Sequence, residues 1–255
     1  MKKIGLCKLY RGDCLKIFRK IKRNSIDMVL CDLPYGTTVC KWDIIIPFKD
    51  LWKEYNRIIK DDGAIVLFSK EPFTSLLITS NIQMFKYRWN WLKDTKSNFM
   101  QANYQPLNNA EDICVFSKGY AREIKDKTKM KYFPQFTIGE KYKIPKKSSG
   151  SGIFQINNSK TKYEHKDRDT TKRYPFITLE FKTDKDHFHP TQKPIALLEY
   201  LIKTYTNEGD IVLDNCMGSG STGVACQKLK RKFIGIEKDK KYFKTAVKRL
   251  NGSEK

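Results

Sequence analysis

At 255 residues, with 40% hydrophobic and 13% aromatic side chains, the chain can bury a full core as one domain, or as one domain carrying an insertion, which excludes global disorder. Its apolar runs, such as 44–47 and 64–68, fall far short of the roughly 20 residues of a membrane span, and residues 1–8 lack a signal-peptide core, so no membrane is expected and an intracellular, cytoplasmic protein is. A formal net charge of +22 points to a polyanionic partner, although a lysine-rich, AT-biased coding sequence also produces such a surplus.

In chain order, residues 8–10 read as a short strand, and Asp13 caps a helix through Leu15, Ile17, Phe18 and Ile21. The apolar run 26–31 is a buried strand ending in Asp32-Leu33-Pro34-Tyr35-Gly36. It presents polar groups at its carboxyl end, the edge where open α/β sheets bind ligands. Asp32 offers acceptor oxygens, Pro34 a carbonyl with no N–H to compete, and Tyr35 a flat π face. An exposed amino group on a planar heterocycle needs these three things, whereas the same residues alone would serve equally as a strand-to-loop turn. Phe48, Leu51, Trp52, Tyr55, Ile58 and Ile59 then fall at helical spacing between Pro47 and Asp61-Asp62-Gly63. A buried strand over 64–69 and a helix over 73–82 follow, and 85–92 and 112–116 read as an antiparallel pair at the edge of a mostly parallel sheet.

From 119 to 186 this pattern breaks into a stretch rich in Lys, Ser, Thr, Asn and Tyr, read as an insertion of loops and short strands. Its cations interleave with aromatics, as in Lys131-Tyr132-Phe133 and Lys172-Arg173-Tyr174, which suits gripping phosphates and stacking on bases. A solvated loop is the equal alternative. Charge does not locate the partner, because 1–23, 119–186 and 228–249 each carry a surplus of eight positive charges.

Regular structure resumes with a helix from Pro194, a strand over 211–214, a glycine-rich turn, a helix and a strand ending at Glu237. Gly218-x-Gly220-x-x-Gly223 at the first turn of this βαβ unit allows close backbone approach to a nucleoside ligand, and Glu237 can accept from two ribose hydroxyls. A P-loop is excluded because Ser221 stands where its lysine would be. A dinucleotide-binding domain is disfavoured because only 18 residues follow Glu237, so the rest of the sheet comes from the N-terminal half. The strands ending at Asp32 and Asp214 then share one sheet, and their carboxyl ends face one cleft. The last helix, with Tyr242, Phe243, Ala246, Val247 and Leu250, reads as a surface helix packed on that sheet. Seven cysteines without a CxxC pair fit buried thiols, and His187-x-His189, with only His165 besides, gives no metal site.

In this order the motifs resemble the amino-group DNA methyltransferases of the permuted, β-type arrangement. Asp32-Leu33-Pro34-Tyr35 is similar to that family's Asp-Pro-Pro-Tyr, His189-Pro190-Thr191-Gln192-Lys193-Pro194 to its cofactor-side motif, and Asp214 to Thr222 to its glycine loop. Trp91-x-Lys93, Glu111-Asp112-Ile113 and Gly235-Ile236-Glu237 extend the likeness over nearly everything outside 119–186. Leu33 replaces the family's first proline, yet the acceptor side chain, the Pro34 carbonyl and the Tyr35 ring are retained.

The resemblance implies an α/β, Rossmann-like methyltransferase fold, circularly permuted, with helices on both faces of a mostly parallel twisted sheet. Residues 1–118 and 187–255 would form the catalytic domain, and 119–186 an inserted target-recognition region. It implies S-adenosyl-L-methionine as cofactor, held by His189, Thr191, Lys193, Asp214, Gly218, Gly220, Ser221, Thr222 and Glu237, with His189 and Lys193 at its methionine end. Lys193 would meet the carboxylate there. Asp32, Pro34 and Tyr35 become the catalytic residues, the first two accepting from an exocyclic amino group flipped out of the duplex and the third stacking on its base. The implied activity is site-specific methylation of double-stranded DNA at adenine N6, since Asp at the first motif position is similar to the adenine enzymes. Cytosine N4 is the alternative acceptor, and a non-catalytic nucleic-acid binder the alternative class. The resemblance leaves a homodimer and a cognate restriction enzyme open as further partners.

Overall fold

The computed structural model describes residues 1–37, 43–141, 169–184 and 192–252. Its strands are β1 (Lys2–Ile4), β2 (Cys7–Arg11), β3 (Ile26–Asp32), β4 (Ile59–Ser69), β5 (Phe85–Ser97), β6 (Asn108–Phe116), β7 (Thr137–Ile138), β8 (Lys172–Arg173), β9 (Thr178–Glu180), β10 (Ile211–Asp214) and β11 (Lys232–Glu237). Its helices are α1 (Cys14–Ile17), α2 (Phe48–Ile58), α3 (Phe73–Ser80), α4 (Ile195–Tyr205), α5 (Ser221–Lys228) and α6 (Lys240–Leu250). Asp13 caps α1 and Asp239 caps α6, each accepting from two backbone N–H groups of the first turn.

Nine strands form one sheet in the order β1-β2-β11-β10-β3-β4-β6-β5-β9. The neighbours from β2 to β4 are parallel, and β6 runs antiparallel to β4 and to β5, the latter pairing being the one expected from the sequence. A parallel sheet must be covered on both faces, and alternation along β3 provides for this. Met28 and Leu30 pack with Leu197 and Leu201 of α4, while Val29 and Cys31 pack with Leu51 and Tyr55 of α2 and Phe73 of α3. Among the described residues no helix is long and apolar enough to cross a membrane.

Three elements differ from the reading of the sequence. The first helix is four residues long and passes into a tighter 3-10 turn over Phe18–Lys20, and β4 begins at Ile59, before the Asp-Asp-Gly stretch. β5 continues to Ser97, beyond its aromatic alternation, because β6 offers it partners as far as Asn108.

A fourth difference concerns the stretch 119–186. The chain divides into one compact unit of Met1–Phe133 with Ile177–Lys255, and a second of Pro134–Phe176, so both ends of 119–186 belong to the larger unit. Met130 is buried in its core, Lys131 pairs with Asp27 and Asp210, and the Phe133 N–H donates to the Thr204 carbonyl. On the other side β9 adds a parallel strand beside β5 and buries Leu179. Neither contact carries a periodic apolar signal. Within the smaller unit β7 and β8 pair antiparallel, and the rings of Phe136 and Tyr174 meet edge to face at 4.8 Å with the Lys172 ammonium 5.8 Å from Phe136.

Candidate active site

β3 and β10 are parallel neighbours, with Val212 opposite Met28 and Leu213 opposite Val29, so Asp32 and Asp214 end on the same rim. From β10 the chain moves to β11 on one side and from β3 to β4 on the other, which makes this the topological switch point of the sheet, where a crevice opens. A cleft of about 580 Å³ lies there, within the range of small-molecule sites. It is lined by Asp32, Leu33 and Pro34 after β3, by 214–219 after β10, by Glu237 after β11, and by Lys193.

The glycine turn owes its shape to packing as much as to ligand approach. Gly220 has φ +84°, a left-handed conformation that a side chain strains, and a Cβ there would stand 3.0 Å from Ala246 Cβ. Gly220 lies against α6, beside the cleft. Gly218 does line it and donates its N–H to Glu237 Oε2 at 2.9 Å. The other carboxylate oxygen of Glu237 accepts from the Asp239 N–H at 2.6 Å. Each oxygen retains a lone pair for a ribose hydroxyl. Burial raises the Glu237 carboxyl above its usual range, and those N–H groups act against the rise.

Asp214 is 4% exposed and turns inward, accepting from Thr222 Oγ1 at 2.7 Å and from the Cys216 N–H at 3.1 Å. Burial pushes its carboxyl up to about 7. Arg249, from α6, donates to the carbonyl and hydroxyl of Ser219 and to the Ser221 hydroxyl, pinning the turn from outside. Its place in a basic run conceals this role in the sequence.

At the other end of the cleft a chain of alternating charges surrounds Asp32. The Tyr35 hydroxyl donates to Asp32 Oδ1 and the Lys193 ammonium to Oδ2, both at 2.6 Å. Lys193 also stands 3.3 Å from Glu111 Oε2, and Lys93 pairs with Glu111 Oε1. Lys193, expected to meet the cofactor carboxylate, is thus turned to two protein carboxylates. Burial alone would lower its pKa, but the charges of Asp32 and Glu111 raise it, so it stays an ammonium. Burial alone would likewise raise the Glu111 carboxyl, yet Lys193 and Lys93 hold it below the usual range. Glu111 and Lys93 are the residues that reading for site chemistry missed; their signal was membership of motifs on β6 and β5.

Tyr35 stacks one ring face on Phe73, with centroids 5.0 Å apart and planes at 28°, so at most the other face is left for a base. Its hydroxyl orients Asp32, a function that a pure stacking role does not require. After it, Asp43 accepts from the Gly36 and Thr37 N–H groups. His189 and Thr191 lie outside the described residues.

The sequence profile of the DNA methylase family, grouping N6 and N4 methyltransferases, matches residues 26–248. The chain belongs to this DNA methylase family. The methyltransferase is 27% identical to the type II methyltransferase M.HpaI of Haemophilus parainfluenzae, over 96% of its own length and 74% of that protein's. It is 28% identical to the DNA adenine methyltransferase YhdJ of Escherichia coli K12, over 95% and 82% of the two chains. The crystal structure of the M1.HpyAVI–SAM complex superposes with a TM-score of 0.62 at 25% identity, covering 95% of this chain and 99% of that one.

S-adenosylmethionine, when bound, supplies an electrophilic sulfonium methyl group. The donor set fits it: Glu237 holds lone pairs for a ribose diol at one end, and the cleft runs from there to Asp32.

Proposed function

We propose that this methyltransferase modifies adenine N6 within a specific sequence of double-stranded DNA. The observation that carries the reading is Asp32 at the switch point, with both carboxylate oxygens oriented by neighbours and Pro34 lining the same cleft. An exocyclic amine shares its lone pair with the ring and is a poor nucleophile. Acceptance of its two hydrogens by Asp32 and Pro34 favours the pyramidal form, whose lone pair is free to attack. Each Asp32 oxygen accepts one protein hydrogen and keeps a further lone pair for this task. As positive charge grows on the nitrogen, Asp32 stabilises it and then takes the proton, while Lys193 and Glu111 hold the carboxylate in place. The open face of Tyr35 offsets part of the cost of unstacking the target base. Adenine is favoured over cytosine by Asp at the first motif position and by the likeness to a DNA adenine methyltransferase.

Residues 119–186 belong to this proposal as the part that reads sequence. Support comes from the aromatic and cationic cluster of Phe136, Tyr174 and Lys172 in the smaller unit, suited to stacking and phosphate contact. His189 and Thr191 complete the proposed cofactor site, and the protein acts in the cytoplasm. Self-association and a cognate restriction enzyme are further parts of the proposal, tested by light scattering and by resistance of methylated DNA to the endonuclease.

The central test is digestion of methylated DNA to nucleosides with identification of the product by mass. N6-methyladenine is expected, N4-methylcytosine would overturn the choice of base, and no product with Asp32→Ala is expected. Persistent turnover of that variant would place the acceptors elsewhere.

A further inference from the structure

β5 and β6 form a hairpin that outruns the rest of the sheet at the catalytic rim. Asp32 pairs with Phe68 and Phe68 with Ile113, so Ile113 marks the level of the catalytic carboxylate. β6 begins five residues earlier at Asn108, which carries the hairpin up to about 17 Å past that level at roughly 3.4 Å per residue. Both grooves of B-DNA are only about 8 Å deep.

The tip carries large apolar side chains that the fold does not use. Phe99 is 66%, Met100 98% and Tyr104 90% exposed. The turn bearing them is nevertheless built: Asn98 adopts a left-handed conformation, and Gln101, Ala102, Tyr104 and Gln105 donate their N–H groups back within it. A long hairpin ending in a formed turn with exposed apolar residues has to be explained by something it meets.

We propose that this tip is a wedge that enters the duplex beside the target base, Phe99 and Met100 filling the space the base leaves when it turns into the Asp32 cleft. Three observations favour DNA over a protein surface. No acidic residue lies between Asp94 and Glu111, so nothing there repels phosphate. The apolar pair is flanked by Asn98, Gln101, Asn103 and Gln105, amides that hydrogen-bond base edges. The base of the hairpin is also the catalytic network, since Lys93 and Glu111 pair across it and Glu111 meets Lys193. Apolar side chains inserted between base steps are an established way of unstacking DNA, and Phe and Met are among those that do it.

The inference rests on the DNA methyltransferase reading and deepens it. Its test uses the full-length protein with Phe99→Ala and Met100→Ala combined, on duplexes carrying the target site mapped by sequencing of modified bases. Both residues are exposed, so the variant should unfold at the wild-type temperature. Single-turnover methylation of the paired duplex should fall about thirtyfold, while the same strand opposite an abasic site, where extrusion is already easy, should lose less than about threefold. Fluorescence of 2-aminopurine next to the target should rise on wild-type binding and rise less with the variant. Equal losses on both substrates would make the tip a general binding element, and an unchanged rate on paired DNA would remove it from the reaction. A tip variant that alters only self-association would assign the surface to a second copy of the chain. Each of these overturns the wedge. Wild-type protein inactive on every substrate would instead sink the methyltransferase reading.

Discussion

Replacing Lys193 with methionine removes a cation shared by Asp32 and Glu111, at nearly constant volume. At an effective dielectric of about 20, unit charges at the observed 2.6 and 3.3 Å attract by about 5–6 kcal/mol each, most of which desolvation of the ammonium offsets. Deleting one member of such a pair costs about 3–5 kcal/mol, because the desolvation of the remaining charges is left uncompensated. The lower end is expected here, since Lys93 still faces Glu111 and the Tyr35 hydroxyl still faces Asp32. The pH dependence has a definite sign. In the wild type the Glu111 carboxyl is held low, so its contribution is present above the ordinary carboxylate range and is lost as pH falls through the folded value. Without Lys193 burial dominates, protonation relieves the stranded charge, and the deficit of the variant should shrink between pH 7.5 and pH 5. Urea unfolding of the cofactor-free protein at both values measures this, with Lys193→Met/Glu111→Gln as the coupled variant recovering about 1 kcal/mol or more. A deficit below about 0.5 kcal/mol, or one equal at the two pH values, would refute the buried network.

Tyr35→Phe removes a hydrogen bond to a charged acceptor, worth about 1.5–3 kcal/mol, so kcat should fall roughly ten- to a hundredfold with little change in cofactor affinity; an unaltered kcat would leave the tyrosine a stacking surface only. Asp214, whose carboxyl rises to about 7, destabilises the fold progressively as pH climbs from the unfolded value toward 7. Asp214→Asn should therefore gain on the wild type by at most about 4 kcal/mol between pH 4 and 7, seen in paired denaturation curves, and a flat difference would contradict the assignment. Gly223→Ala would place a Cβ 2.8 Å from Phe233 Cε1 and 2.9 Å from Leu250 Cδ2, and overpacking of this kind costs about 1–3 kcal/mol in thermal unfolding.

The parallel core was legible in the sequence because its strands are short apolar runs with turn signals at both ends, as at 26–32 and 211–214. Asp32 and Glu237 were legible for the same reason, since each terminates such a run. β9 was not, because three residues with one buried leucine carry no period, and its strand character comes from pairing with β5. Lys193 lines the cleft, and its ion pairs with Asp32 and Glu111 were not legible. Its motif does not say which carboxylate will be nearest, and Glu111 arrives from a strand 82 residues earlier in the chain. Arg249 was hidden by its neighbours, because one inward-facing arginine in a basic helix cannot be told from outward-facing ones by composition.

Asp27, at the far end of β3 from Asp32, is 1% exposed and held by the ammoniums of Lys60 and Lys131 and by the Ile211 N–H. This ties the chain up to Phe133 to the large sheet, and β9 does the same on the return. Under the proposed recognition role, exchange of this segment between relatives, in the laboratory or by recombination, has its junctions at 133/134 and 176/177. A cut at 119 would carry Lys131 away and leave the buried Asp27 with one ammonium, that of Lys60, and a cut at 186 would strip β9 from the edge of β5. Under the proposed recognition role, variation in target sequence would accumulate between 134 and 176, outside the nine-stranded sheet.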